Sequence, residues 1–261
     1  MPPRTKLTIN VDESFQHLPH APIVEAVIDI RSQPTVAFEE ATFKPQLEAK
    51  LGGYEYLDSQ RTFQHEFRVE AGKPPSAMAR DMGWQGLRFQ STDKKQIAQF
   101  NRNEFVLSRL EPYQSWEQLY EEGMRLWSLY VELAQPVEIK RIGLRYINRI
   151  QLPPGELRFE KYMGPAPAPP QGLTLPFRGF MHQDTLEVTG HPYAINVIRT
   201  IQPSGDSGVP GMGLILDIDA FTTEEFELNE VLLKRHLLAM RWLKNKMFFG
   251  SVTPMALKLC Q

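Results

Sequence analysis

The sequence predicts an α+β fold in which a mostly antiparallel sheet packs against two long helices. Segments that alternate apolar and polar residues follow one another through short, hairpin-like links, which is typical of antiparallel sheets. Two longer segments, 115–134 and 223–247, carry apolar residues at helical spacing. In each half of the chain several strands precede a long helix and a closing strand. We therefore also expect two similar sheet-plus-helix halves.

The same pattern divides the chain into three parts. Residues 1–21 are polar and aperiodic, and they form an N-terminal arm that Phe15 and Leu18 are expected to fix to the core. Residues 22–152 form the first sheet-plus-helix half, and residues 153–261 form the second. The two halves are also compatible with one continuous domain.

The first half is predicted to contain two helices and six strands. A helix over 35–51 ends at Gly52-Gly53, and a second over 115–134 begins with the capping pattern of Ser115 and Gln118. The predicted strands are 23–31, 63–69, 84–90, 96–101, 104–110 and 141–150. A hairpin turn falls at Asn103, because asparagine tolerates a left-handed backbone.

The second half is predicted to contain several strands and one long helix. The helix is capped by Thr223 and extends to about residue 247, with Glu224, Glu225 and Glu227 in its first turn. A proline-rich loop over 163–172 and a glycine-rich loop over 203–213 separate the strands. The predicted strands are 175–181, 184–189, 193–202, 214–219 and a final strand from Phe248 to Val252.

The composition of the chain argues against several classes of function. The 261 residues include 29 basic and 31 acidic side chains, and this near balance does not favour a dedicated nucleic-acid-binding protein. The single cysteine, Cys260, cannot form an internal disulfide framework or a cysteine-based zinc site. No segment resembles a signal peptide or a membrane span, so we expect a cytoplasmic protein without membrane association.

The segment Arg141–Ile150 holds the main candidate site. Alternation places Ile142, Leu144, Tyr146 and Ile150 on one face of a strand, and Arg141, Arg145 and Arg149 on the other. Further candidate ligand-binding residues on other strands are Arg31, Arg88 and Glu25. The planar guanidinium group suits bidentate binding of phosphate or carboxylate, which favours an anionic ligand. The alternative is a solvated sheet face with ion pairs between strands.

Asp217 and Asp219 are weaker candidates, for a metal site. Two carboxylates on one strand face are able to hold Mg²⁺, and Glu25 and Asp29 would add ligands. This arrangement would make the protein a metal-dependent, phosphate-processing enzyme with a charged sheet groove. The alternative is that the two aspartates only mark a strand end before a helix.

Two segments resemble a family of bacterial proteins. His17–Arg31, with the sequence HLPHAPIVEAVIDIR, and Arg141–Ile150, with the sequence RIGLRYINRI, are similar to an uncharacterised, sporadically distributed bacterial family of about this length. Leu216–Asp219 and Phe248–Thr253 are similar to its C-terminal pattern. The resemblance implies a cytoplasmic protein of accessory genes, with a role in defence or conflict, and it supplies no catalytic residues.

Without a catalytic constellation, the sequence favours a non-enzymatic binding or interaction protein. It would present the arginine-rich sheet face to a partner protein or a small anionic ligand, and it would need no cofactor. Mg²⁺ enters only under the enzyme alternative. The basic segments at Lys234–His236 and Arg241–Lys246 are expected to be the solvated side of the last helix.

Overall fold

A sheet of antiparallel strands forms the framework of the protein. The structure is a computed structural model, and it describes residues 5–68, 76–153, 158–168, 172, 179–203 and 211–261. Within these residues one sheet contains ten strands: β1 (Ile23–Pro34), β2 (Tyr54–Arg68), β3 (Ser76–Ser91), β4 (Gln96–Asn101), β5 (Glu104–Leu110), β6 (Pro136–Leu152), β7 (Met181–Glu187), β8 (Tyr193–Pro203), β9 (Met212–Thr222) and β10 (Phe226–Glu227). Their spatial order is β2-β3-β4-β5-β1-β6-β9-β8-β7, with β10 paired to β6. The α+β antiparallel fold is thus confirmed.

Among the described residues there are four α-helices and one short 3-10 helix, and the last two α-helices follow the last strand. The α-helices are α1 (Glu40–Lys50), α2 (Trp116–Ala134), α3 (Glu230–Ser251) and α4 (Pro254–Lys258), and the 3-10 helix is Phe159–Lys161. The Oγ of Ser115 accepts a hydrogen bond from the backbone N–H of Gln118, as the capping pattern predicted. This cap fixes the start of α2, which leads into the site described below.

The two long helices cover the same face of the sheet. In α2, a methyl group in place of the Gly123 hydrogen would lie 2.9 Å from Ile28 of β1, so this glycine allows close packing of helix on sheet. The residues Ile142, Leu144, Tyr146 and Ile150 of β6 are all buried on that face, as predicted. β6 pairs with β1 on one side and with β9 on the other, so both predicted halves belong to one sheet. The duplication itself stays a prediction.

Several predicted boundaries in the first half were wrong. Strand β1 extends to Pro34, β3 begins at Ser76 rather than at Trp84, and β6 begins at Pro136 rather than at Arg141. The first helix begins at Glu40 rather than at residue 35, because the backbone N–H groups of Thr35 and Val36 bond to the carbonyl of Ala134 instead. Strand β2 begins at Tyr54 rather than at Phe63. Bulges between Tyr56 and Phe63 break the period-two pattern that would have revealed its first half.

The end of the chain also differs from the prediction. Helix α3 begins after Asn229, whose side chain accepts a bond from the Leu232 N–H, and Phe226 pairs with β6 in place of a helical turn. The three glutamates after Thr223 therefore precede the helix. The predicted strand Phe248–Val252 is the last turn of α3, and Val252 forms only an isolated bridge to Met163. The predicted strands 175–181 and 184–189 were wrong in their described part, because Met181–Glu187 forms a single strand, β7. Residues 69, 169–171, 175–178 and 204–210 of the predicted elements lie outside the described residues.

The N-terminal arm lies against the second half of the chain. The Leu7 N–H donates to the Thr189 carbonyl at 3.1 Å, and the His20 N–H donates to the Cys260 carbonyl at 3.1 Å. Phe15 stacks on Phe249 of α3 with ring centroids 5.6 Å apart, which agrees with the role expected of it. In the described parts of the chain, no helix combines the length and the apolar character that crossing a membrane requires.

Candidate functional site

The second face of the sheet, opposite the helices, carries the predicted arginines. We call the group Arg31, Arg141, Arg145, Asp29, Asp217 and Asp219 the charged face. These residues come from three adjacent strands, β1, β6 and β9, whose register places Arg145 opposite Asp219 and Gly143 opposite Asp29. The structure thus brings together three of the predicted arginines with both weaker metal candidates.

Arg141 bridges two carboxylates across the sheet. Its guanidinium group forms an ion pair with Asp29 on β1 and donates to Asp219 on β9 at 2.9 Å. A Cβ atom at Gly143 would lie 2.5 Å from Nη1 of Arg141, so the arginine can fold back along its strand only because residue 143 is glycine. The arrangement fixes Arg141 to its own chain.

Arg145 and Arg31 also form ion pairs with carboxylates on neighbouring strands. Arg145 makes a bidentate contact to Asp217, from Nε at 2.8 Å and from Nη2 at 2.5 Å, and these bonds raise the pKa of Arg145. Arg31 donates from Nε to Glu104 at 2.8 Å. The side chains of Arg145 and Arg31 are still 46% and 54% exposed, so their remaining N–H groups are accessible to solvent.

The other predicted site residues do not join this group. Arg88 lies on β3, beyond β5 and β4, and forms a bidentate pair with Asp58. Arg149 lies at the far end of β6 and donates to the carbonyl of Pro203 at 3.3 Å; among the described residues it has no carboxylate partner. Glu25 faces the same side of the sheet as Arg145 but forms no ion pair within the described chain.

The arginines and aspartates of the charged face largely neutralise one another. Burial raises the pKa of Asp29 to about 7, although the Arg141 guanidinium acts to lower it. Burial likewise raises the pKa of Asp219 against the effect of Arg141. Because arginines occupy the carboxylates, a cation would have to displace them. Among the described residues no group of three or more His, Cys, Asp or Glu is placed to hold a metal ion.

A cavity of about 490 Å³ lies between the arm and the helices. We call it the arm cavity. Residues 11–18 of the arm form one wall, the segment from Tyr113 to Glu117 at the start of α2 forms a second, and the C-terminal half of α3 forms a third. Its volume falls in the range of about 300 to 1,000 Å³ that is typical of small-molecule sites.

Lys244 of α3 lines this cavity without a carboxylate partner. Its Nζ lies 3.6 Å from the centroid of the Tyr146 ring, and no ion pair or hydrogen bond joins it to another described residue. Burial and the nearby Arg241 guanidinium lower the pKa of Lys244 to about 7. At neutral pH a substantial fraction of this side chain is therefore an uncharged amine.

Two tyrosine hydroxyl groups lie beside this lysine. The oxygens of Tyr113 and Tyr146 are 3.1 Å apart and share a hydrogen bond. Burial raises the pKa of Tyr113 to about 12 and that of Tyr146 well above its ordinary value, so both hydroxyl groups keep their protons at neutral pH. Next along the strand, Asn148 donates from Nδ2 to the carbonyl of Leu216 at 2.9 Å.

Arg241 lies one helical turn before Lys244 and also lines the cavity. Its guanidinium carbon lies 5.5 Å from the centroid of the Trp116 ring, and its Nη2 lies 3.6 Å from Oε1 of Glu117. The latter distance exceeds that of a hydrogen bond. The cavity therefore presents two cations on one face of α3, each against an aromatic ring.

Polar contacts with α3 hold the part of the arm that forms one wall of the cavity. Glu13 accepts from Nε1 of Trp242 at 2.7 Å and from Nζ of Lys246 at 2.5 Å, which lowers the pKa of Glu13. Lys246 is thus neutralised by the arm, whereas Lys244 is not. Together with the stack of Phe15 on Phe249, these contacts close one side of the cavity.

Sequence reasoning missed the arm cavity. The segment Arg241–Lys246 was predicted to be the solvated side of the last helix, and within it Lys244 is partly exposed and lines the cavity. A signal was present: Lys244 continues the helical stripe of Leu233, Leu237 and Met240 and precedes Phe248, so it occupies a position where an apolar residue is expected. The composition of the cavity could not be read from sequence, since its walls come from four distant segments.

Comparisons of the chain with protein-family models, with curated proteins and with solved structures found no match. The resemblance to a sporadically distributed bacterial family therefore stays an expectation.

Proposed function

We propose that the protein is a non-enzymatic binding protein whose arm cavity holds a small organic anion. One observation carries the proposal: the cavity-lining Lys244 has an aromatic ring as its partner and no carboxylate among the described residues. A cation withdrawn from water without a counter-ion is costly, and a bound anion would offset that cost. Arg241 supplies a second positive charge one helical turn away. Its Nη2 atom lies 3.6 Å from Oε1 of Glu117, which is longer than a hydrogen bond.

The arm cavity suits a free anion better than the charged face does. On that face Arg141 and Arg145 already bind aspartates, and an incoming anion would have to compete with them. The face is the second candidate surface, for a partner protein with matching charges, because Arg31 and Arg145 remain about half exposed. The metal-dependent enzyme alternative would need carboxylates free of arginine, and Asp217 and Asp219 are not.

Matched pairs of charged and uncharged compounds test the proposal. The probes are benzoate against benzamide and succinate against succinamide, and the measurement is the thermal unfolding temperature Tm. The carboxylates should raise Tm by several degrees, because a ligand at 100 times its Kd stabilises the native state by about 2.7 kcal/mol, and the amides should not. The shift should weaken as the pH rises through about 7, since Lys244 then loses its charge.

Two variants locate the binding. Arg241→Gln should remove most of the shift, whereas Lys234→Met should keep it. Lys234 is a matched control, because it lies on the same helix and above the ring of Tyr120 but is exposed outside the cavity. Equal shifts from acids and amides, or an unchanged shift in Arg241→Gln, would exclude the arm cavity as an anion site.

A further inference from the structure

We propose that Lys244 is a carbonyl-reactive amine that captures a small oxo acid in the arm cavity as a reversible imine. This inference rests on the proposed function and names the ligand class of the same site. Its basis is the geometry of the cavity: an amine without an ion-pair partner, a neighbouring cation for a carboxylate, and a pair of hydroxyl groups for a carbonyl oxygen.

The first requirement for such chemistry is a nucleophilic amine. A lysine reacts with a carbonyl carbon only as the uncharged amine, and at neutral pH an exposed lysine is almost wholly protonated. Lys244 differs because it is partly withdrawn from water and lies near Arg241, and both effects disfavour the ammonium form. The bulk of its surroundings is aromatic, with Tyr146 beneath its Nζ and Trp242 and Phe248 on the same helix.

The second requirement is that no other group neutralises the amine or blocks it. The ionisable groups that line the cavity beside Lys244 are Arg241 on α3, Glu117 at the start of α2, Tyr113 before it, and Asp12, Glu13 and His17 on the arm; Tyr146 on β6 is buried behind Lys244. Glu117 lies against Arg241, and Glu13 is engaged by Trp242 and Lys246. None of these groups forms an ion pair with Lys244 in the described chain.

The third requirement is a place for both ends of the ligand. Arg241 and Lys244 are three residues apart on a helix, and side chains at this spacing are neighbours about 5 to 6 Å apart at Cβ. A carboxylate bound by Arg241 would therefore place an adjacent carbonyl carbon near Nζ of Lys244. The site fits a short oxo acid, in which the two groups are directly bonded.

The reaction balances without an oxidant or a reductant. The lone pair of the neutral Nζ forms a bond to the carbonyl carbon, and the carbonyl π pair moves to oxygen, which takes a proton. The nitrogen releases one of its two protons to water and so regains its lone pair. The resulting carbinolamine loses water as the nitrogen lone pair forms the C=N bond, so amine and carbonyl give imine and water. Tyr113 is the proton donor in this scheme, because it lines the same cavity as Lys244 and its hydroxyl group remains protonated at neutral pH.

Reductive trapping tests the inference on the full chain. The protein is incubated with pyruvate and sodium cyanoborohydride, and the modified lysine is identified by peptide mass spectrometry. Lys244 should be modified at least about tenfold faster than Lys234 at pH 7, with a rate that rises through about pH 7 instead of near pH 10. Lys244→Arg should abolish this fast modification, and Lys234→Arg should leave it unchanged.

The outcomes separate the inference from the proposed function. If benzoate, which has no ketone or aldehyde carbonyl, raises Tm but pyruvate gives no adduct at Lys244, the imine is overturned and anion binding stands. If neither benzoate nor pyruvate stabilises the protein and no adduct forms, both proposals fail. Modification of Lys234 and Lys246 at the same rate as Lys244 would mark ordinary surface reactivity and would also overturn the imine.

Discussion

At the scale of single residues, the partner of a cation decides its role. Arg141 and Arg145 alternate with buried residues on β6, as expected, yet both are bound by aspartates of neighbouring strands. Lys244, whose pKa is lowered to about 7, contacts the ring of Tyr146 and forms no ion pair with another described residue. The arginines were prominent in the sequence because they repeat on one strand. The lysine was not, because its lack of a partner depends on distant segments.

Lys244→Met should stabilise the protein at low and neutral pH. The folded-state pKa of Lys244 lies below its unfolded value, so the unfolded chain binds more protons between about pH 7 and pH 10. The cost of burying the charge is therefore complete below pH 7 and disappears as the pH approaches 10. We expect a gain of roughly 1 to 3 kcal/mol at pH 6 that shrinks steadily towards pH 9.

Urea unfolding of the wild type and Lys244→Met between pH 6 and pH 9 measures this difference. Lys234→Met serves as the control, because Lys234 is exposed and should give no pH-dependent change. A gain for Lys244→Met that did not vary with pH would mean that Lys244 keeps an ordinary pKa.

At the scale of elements, local signals predicted the centre of most helices and strands better than their ends. The hairpin of β4 and β5 and the capped start of α2 followed directly from Asn103 and Ser115. The start of α3 did not. Thr223 and the glutamates after it have the sequence pattern of a helix N-terminus. However, Phe226 pairs with Ile139 of β6, and the helix begins only after Asn229. A two-residue strand is below the length at which a sequence pattern is visible.

Asn229→Ala should therefore destabilise the protein by about 1 kcal/mol, because it leaves the Leu232 N–H without its cap. Thr223→Ala should change the free energy of unfolding by less than about 0.5 kcal/mol, since Thr223 is exposed and precedes the helix by several residues. Urea unfolding of both variants provides the comparison. An equal loss in the two would place the start of α3 at Thr223 after all.

At the scale of the whole molecule, the sheet and the arm together create the site. Pairing of β6 with β9 joins the two parts of the chain into one sheet, with α2 packed on β1 and β5 and α3 packed on β6 and β9. The arm then crosses the gap between them and attaches to α3 through Glu13 and Phe15. The arm cavity exists only in this assembled arrangement.

Substitutions that release the arm from α3 should change the pKa of Lys244, although Lys244 itself is not substituted. In the double variant Glu13→Gln with Phe15→Ala, water should reach the cavity, so the pKa of Lys244 should rise towards its ordinary value and the Tm shift with benzoate should fall. The measurements are the pH profile of reductive trapping and cleavage of the arm by protease. Glu132→Gln is the control, because it removes an ion pair to Lys50 at the opposite end of α2. A trapping profile that did not move would show that the arm is not the wall that excludes water.

The fold class and the central strands follow from the sequence, because the period of apolar residues is a local property of each segment. The same period predicts that Ile142, Leu144 and Tyr146 are buried and that Arg141 and Arg145 face the other side of the sheet. Which charges are neutralised depends on the tertiary structure. Arg145 has its aspartate on β9 and Lys244 has none among the described residues, and ion pairing and desolvation depend on groups far apart in the chain.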